Sequence, residues 1–115
     1  MMKFYGYKKC GTCRKAEKYL NESGISYDFI DITEQAPTKT ELKKAMNMYG
    51  LKKLFNTSGV QYRELKIKDL LPTLSDNEAI DLLTANGRLV KRPMVFDGDK
   101  VSVAFKEDDF KSIWG

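Results

Sequence analysis

Phe4-Tyr5-Gly6-Tyr7-Lys8-Lys9-Cys10-Gly11-Thr12-Cys13-Arg14-Lys15-Ala16 is the stretch on which the reading of this chain turns. Lys3 to Tyr7 has the apolar, aromatic character of a short strand. From about Thr12 to Asn21 the pattern changes to that of a helix: Cys13, Ala16 and Leu20 fall at i, i+3 and i+7 and form one buried stripe. Cys10 therefore stands where a strand gives way to a helix, beside main-chain N–H groups that have no partner within the helix. The two cysteines of the protein are these two. A single Cys-x-x-Cys in that position reads first as a redox pair.

Outward from this stretch, Ile25 to Ile32 alternates Ile25, Tyr27 and Phe29 with polar residues and reads as a second strand. Strand, helix and strand in so short a span make a βαβ unit, so the two strands should be parallel. Thr38 with Glu41, and Ser75 with Glu78, have capping-box spacing and open two helices. The second carries Ala79, Ile80, Leu82 and Leu83 and is expected to close at Gly87. Roughly residues 34–90 are expected to be an all-helical region, with a loop signal at Asn56-Thr57-Ser58-Gly59. Met94 to Phe96 and Val101 to Ala104 are strands about an Asp97-Gly98 hairpin signal. Lys106 to Ile113 forms a last helix with Phe110, Ile113 and Trp114 on its apolar face. The economical assembly is one α/β domain with a four-stranded mixed sheet and helices on both faces: a thioredoxin-like core with an inserted helical subdomain.

A chain of 115 residues suits one domain with one core. No apolar run approaches the roughly 18 residues of a membrane span, and no secretory h-region opens the chain. Two cysteines in such a chain point to a reducing compartment, the cytoplasm, where a disulfide is transient. The net charge is +4, and residues 1–20 hold six Lys or Arg against Glu17 alone. That basic field either attracts an anionic or acidic partner or is simply a solvated helix face.

The attacking species in thiol chemistry is the thiolate. A free thiol titrates at about 8.5, and a helix N-terminus or nearby cations lower that value. Cys10 has the helix start, with Lys8, Lys9 and Arg14 close in sequence, and is the expected nucleophile. Cys13, one turn further on the buried stripe, is placed to attack a mixed disulfide on Cys10 and so to resolve it. Half of a zinc site is an alternative, but the chain has no histidine and no third cysteine to complete four ligands, so no metal is expected. An inert buried pair is another alternative. In a thioredoxin-like core, Lys91-Arg92-Pro93 faces the cysteines, with Arg92 aimed at an anion on Cys10. The other reading of these residues is a surface turn before a strand.

These motifs, together with Phe55-Asn56-Thr57-Ser58-Gly59, Lys91-Arg92-Pro93-Met94-Val95 and Ala104-Phe105-Lys106-Glu107-Asp108-Asp109-Phe110, resemble the ArsC/Spx family over essentially the whole chain. That family includes glutaredoxin-dependent arsenate reductases and the redox-switched regulator Spx. The resemblance implies that Cys10 is catalytic and that Arg92, before a cis-proline at Pro93, binds oxyanion. It also implies no bound cofactor. Two further anion-binding arginines of the reductases fall at Ser58 and near Phe105-Lys106, so arsenate would be held by one arginine, with much charge-assisted bonding lost. On the Spx side, Gly50 matches a glycine at the contact with the RNA polymerase alpha subunit's C-terminal domain, or is only a helix cap. The chain stops at Ile113-Trp114-Gly115, without the basic tail of Spx.

The expected function is therefore thiol–disulfide oxidoreduction by Cys10 and Cys13. Arg92, Pro93, Gly11 and Thr12 are the expected contacts of substrate or anion, with glutathione or thioredoxin as electron donor. A disulfide substrate or thiol reductant is the expected partner of a monomer that contacts neither nucleic acid nor membrane. A redox-switched regulator binding polymerase is the second expectation, and arsenate reduction coupled to glutaredoxin or thioredoxin the third.

Overall fold

Phe4 and Tyr5 point to opposite faces of a four-stranded sheet, and both are fully buried. In the computed structural model, which describes residues 2–115, they lie on β1 (Lys3–Gly6). α1 (Gly11–Glu22) and β2 (Asp28–Asp31) follow. Four helices come next: α2 (Lys39–Tyr49), α3 (Val60–Glu64), α4 (Ile67–Leu70) and α5 (Asp76–Ala85). The chain ends with β3 (Met94–Asp97), β4 (Lys100–Val103) and α6 (Glu107–Trp114). The sheet order is β2-β1-β3-β4, with β1 parallel to β2 and antiparallel to β3, and β3 antiparallel to β4. This is the thioredoxin-like mixed sheet expected from the sequence.

Because successive strand residues face opposite ways, the two central strands are apolar on both sides. Phe4 and Val95 meet Cys13, Ala16 and Leu20 of α1 and Phe110 and Trp114 of α6. Tyr5, Met94 and Phe96 face Leu42 and Ala45 of α2 and Ala79, Ile80 and Leu83 of α5. Both capping boxes form: Thr38 and Ser75 each accept from the N–H three residues on, and Glu41 and Glu78 each accept from the cap's own N–H.

Three details differ from the sequence reading. β2 is shorter than the Ile25–Ile32 strand: the Ile25 N–H donates to Leu20 O (2.9 Å) and closes α1, so pairing begins only at Asp28, whose N–H reaches Met2 O (2.8 Å). The hairpin turn is centred on Gly98-Asp99, since Asp97 pairs with Lys100; Gly98, at φ +60°, supplies the left-handed first position. Gly87 does not close α5. The helix ends at Ala85, Asn86 caps a 3-10 turn over Gly87–Leu89, and Gly87 is buried against Ile32.

The indole Nε1 of Trp114 donates to Ser102 Oγ (2.9 Å), which ties α6 to β4 inside the core. Trp114→Phe keeps most of the apolar volume but leaves a buried hydroxyl unpaired, at a cost of about 1–3 kcal/mol. Urea denaturation is expected to show that loss, and Trp114→Phe combined with Ser102→Ala should recover part of it.

Candidate redox site

Parallel pairing carries the C-terminal ends of β1 and β2 to the same end of the sheet, and antiparallel β3 brings its N-terminal end there. Cys10, Asp31 and Arg92-Pro93 thus meet from three distant parts of the sequence. The Cys10 N–H donates to Tyr7 O (3.0 Å), a tight turn out of β1. Cys10 is the N-cap of α1, and its Sγ accepts from the Cys13 N–H at 3.4 Å. Gly11 and Thr12 form the exposed first turn of that helix. Cys13 is fully buried, Cys10 half-buried, and both thiols are free.

Partial burial pushes the Cys10 thiol up. The Cys13 thiol and N–H, which hydrogen-bond its sulfur, and the charge of the Arg92 guanidinium outweigh that, and the balance lies below the ordinary thiol value. Cys13 is pushed up to about 12, first by burial, then by its hydrogen bond to the Cys10 sulfur, and further by the negative charge of the Cys10 thiolate. The pair is therefore asymmetric: the reachable sulfur favours thiolate and the hidden one keeps its proton.

The cation acting on Cys10 is Arg92, which stands over the Tyr7 ring, its Cζ 5.4 Å from the centroid. The sequence had aimed Arg92 at an anion on Cys10, but had credited the lowering of Cys10 itself to Lys8, Lys9 and Arg14. Lys8 is committed elsewhere, 3.1 Å from Glu17 and 4.0 Å from the Phe29 ring centroid, and Lys9 and Arg14 are exposed. The Arg92-Pro93 bond is cis, and Pro93 is buried. Arg92→Met should move the thiolate titration of Cys10 upward, so that iodoacetamide alkylation below that titration slows several-fold while the rate at high pH is kept. An unchanged pH profile would remove Arg92 from the site.

Sequence reading missed two charged neighbours. Asp31, at the end of β2, is held low first by the Thr33 hydroxyl (2.6 Å) and also feels Arg88 and Arg92. Parallel pairing of β1 and β2 was the signal that could have found it. Arg88 reaches this region from the 3-10 turn, which the sequence does not announce. Ser58 lies on an exposed turn, and Lys106 lines a groove beyond β4. Gly50 ends α2 at φ +85° and ψ 152°, an extended positive-φ region that essentially glycine alone enters, so the backbone by itself accounts for glycine there.

Among the described residues no group of three His, Cys, Asp or Glu side chains gathers where a metal could bind. No described helix is long and apolar enough to cross a membrane.

The chain is 52% identical over 113 residues to the uncharacterized protein YusI of Bacillus subtilis, covering 96% of each chain. It is 26% identical over 113 residues to the global transcriptional regulator Spx 2 of Bacillus anthracis, covering 96% of this chain and 85% of that one. An ArsC family related protein from Bacteroides fragilis has the same fold at a TM-score of 0.89 and 44% identity, covering 97% of this chain and 96% of the other. The ArsC family profile matches residues 5–113. The chain belongs to the ArsC family.

Proposed function

We propose that the protein is a thiol–disulfide oxidoreductase of a reducing compartment, the cytoplasm. The observation that carries this is the asymmetry of the pair: a half-exposed Cys10 that favours thiolate, backed by a buried Cys13 that keeps its proton. The Cys10 thiolate attacks one sulfur of a substrate disulfide and expels the other as a thiolate. Cys13 then loses its proton and attacks the Cys10 sulfur, expelling the second substrate thiolate. Two electrons pass to the substrate, and Cys10–Cys13 becomes a disulfide. Glutathione or thioredoxin restores the dithiol by the same exchange in reverse.

The test is to equilibrate the reduced protein in glutathione redox buffers and then to follow reduction of a small disulfide with glutathione as donor. A Cys10–Cys13 disulfide that forms reversibly, with catalytic turnover, is the expected result. A pair that stays as two thiols in oxidising buffer would sink the proposal.

The likeness to Spx 2 favours a second reading, in which the same disulfide controls binding to a partner such as the RNA polymerase alpha subunit. A reversible disulfide without turnover, with capture of polymerase in one redox state only, would favour it. Arsenate reduction is the weaker reading. Arg92 is the one arginine that lowers Cys10, and the carboxylate of Asp31 lies within its field.

A further inference from the structure

A groove of about 590 Å³ runs along the outer edge of β4, between α6 and the segment that follows α2. Its apolar lining includes Phe55, Val103, Phe110 and Ile113. Its charged lining is four lysines, Lys52, Lys53, Lys91 and Lys106, against Asp109 alone. Among the described residues none of the four lysines has a carboxylate partner. The groove along the opposite sheet edge, at β2, differs: its Lys8 is already paired with Glu17 at 3.1 Å.

β4 is an edge strand. In the hairpin, Asp97 pairs with Lys100, and the Ala104 N–H donates to Pro93 O (2.9 Å). Alternation therefore turns the main-chain groups of Lys100, Ser102 and Ala104 toward β3 and those of Val101 and Val103 outward. The Val101 carbonyl is taken by the Tyr49 hydroxyl at 2.7 Å. Val103 lines the groove, and its N–H and C=O face outward there with no partner among the described residues. A sheet edge of this kind is a template for an added strand.

We propose that this groove docks an acidic, extended segment of a partner protein, which pairs with Val103 as a short added strand and sets its carboxylates on the four lysines. A nucleic acid would satisfy the lysines but not the strand edge, which calls for a peptide's alternating N–H and C=O. Lys91 is next to Arg92, and Ala104 is bonded to Pro93, so the docked segment runs toward the Cys10 end of the sheet. The proposal rests on the thiol reading only for what the segment is for: it would belong to the protein whose disulfide Cys10 meets.

The probe is a short cysteine-free peptide alternating glutamate and valine, titrated into the full chain and followed by amide NMR shifts. Shifts centred on Val103, Lys91 and the start of α6 are expected, weakening with salt. Lys52→Glu with Lys53→Glu should loosen binding about tenfold, as two exposed charge contacts reversed would. Lys43→Glu, on the exposed face of α2, should not. Val103→Pro removes an outward N–H at a strand edge, where proline is tolerated, and should also weaken binding. Equal binding of a lysine-valine peptide, tighter binding of a single-stranded oligonucleotide at the same residues, shifts centred elsewhere, or no binding would each overturn the proposal. Because the probe has no sulfur, docking without turnover counts against the thiol reading alone, and turnover without docking counts against the groove alone.

Discussion

Cys13→Ser is expected to turn a cycling protein into one that stalls, with substrate bound to Cys10 as a mixed disulfide. Cys13 is fully buried and hydrogen-bonded to the Cys10 sulfur, so a serine there fills nearly the same space and can still donate a hydrogen bond. The first attack should therefore survive, since Arg92 and the helix start still favour the Cys10 thiolate. The second step has lost its nucleophile. A well-aligned neighbouring thiol acts at an effective concentration far above that of any external thiol, so release should slow by at least about a hundredfold at millimolar glutathione. Intact mass spectrometry should show the trapped adduct. Cys10→Ser should show no adduct and no turnover, because Cys13 is fully buried and that burial by itself pushes its thiol up. An adduct on Cys13 in that variant would reverse the assigned roles.

The second large effect is on folding. Gly87 is buried at the start of the 3-10 turn, and a methyl group added there would land on the Ile32 carbonyl oxygen, with the Ile32 carbonyl carbon only 2.9 Å away. Both are main-chain atoms, and the Ile32 N–H is itself fixed to Gly6 O at 2.9 Å. No side chain can rotate to make room, so β2 or the turn must move. Gly87→Ala is expected to lower stability by about 3 kcal/mol or more, at the upper end of overpacking effects. Gly11→Ala, where an added methyl meets nothing within 4 Å, should leave the denaturation midpoint nearly unchanged. Equal midpoints for the two variants would show that the turn gives way easily. Arg88 shares that turn, so Gly87→Ala, examined at low temperature, should also disturb the field at Asp31.

How much of this was legible beforehand depends on the range of the interactions. Local rules placed the helix starts well: Cys10, Thr38 and Ser75 each cap their helix through a hydrogen bond three residues long. Period-two and helical patterns gave the sheet, because Phe4, Tyr5 and Val95 must be covered whichever face they point to. Gly87 was read as a helix stop because glycine commonly is one; its actual reason, the Ile32 carbonyl, lies 55 positions away in sequence and leaves no local trace. The cations were legible in part. Lys8 is near Cys10 along the chain but pairs with Glu17, while Arg92, from the far end, could be named only once the fold was assumed. The groove beside β4 had no sequence signature, since its four lysines come from three separate places.

The sheet divides the buried interior into two parts. The larger lies under α2 and α5; the smaller, under α1 and α6, contains Cys13. Each part has its own helices, and the strands are what they share, so amide exchange should separate them into two cooperative units. The sulfur chemistry belongs to the smaller unit, whose outer wall is an eight-residue helix at the end of the chain. Opening of that wall is expected to loosen the packing shared by Phe4, Cys13 and Ala16 while the larger part stays folded. The protection of the resolving sulfur should thus follow the packing of the smaller unit, to which Phe110 and Trp114 belong, more closely than the stability of the molecule as a whole.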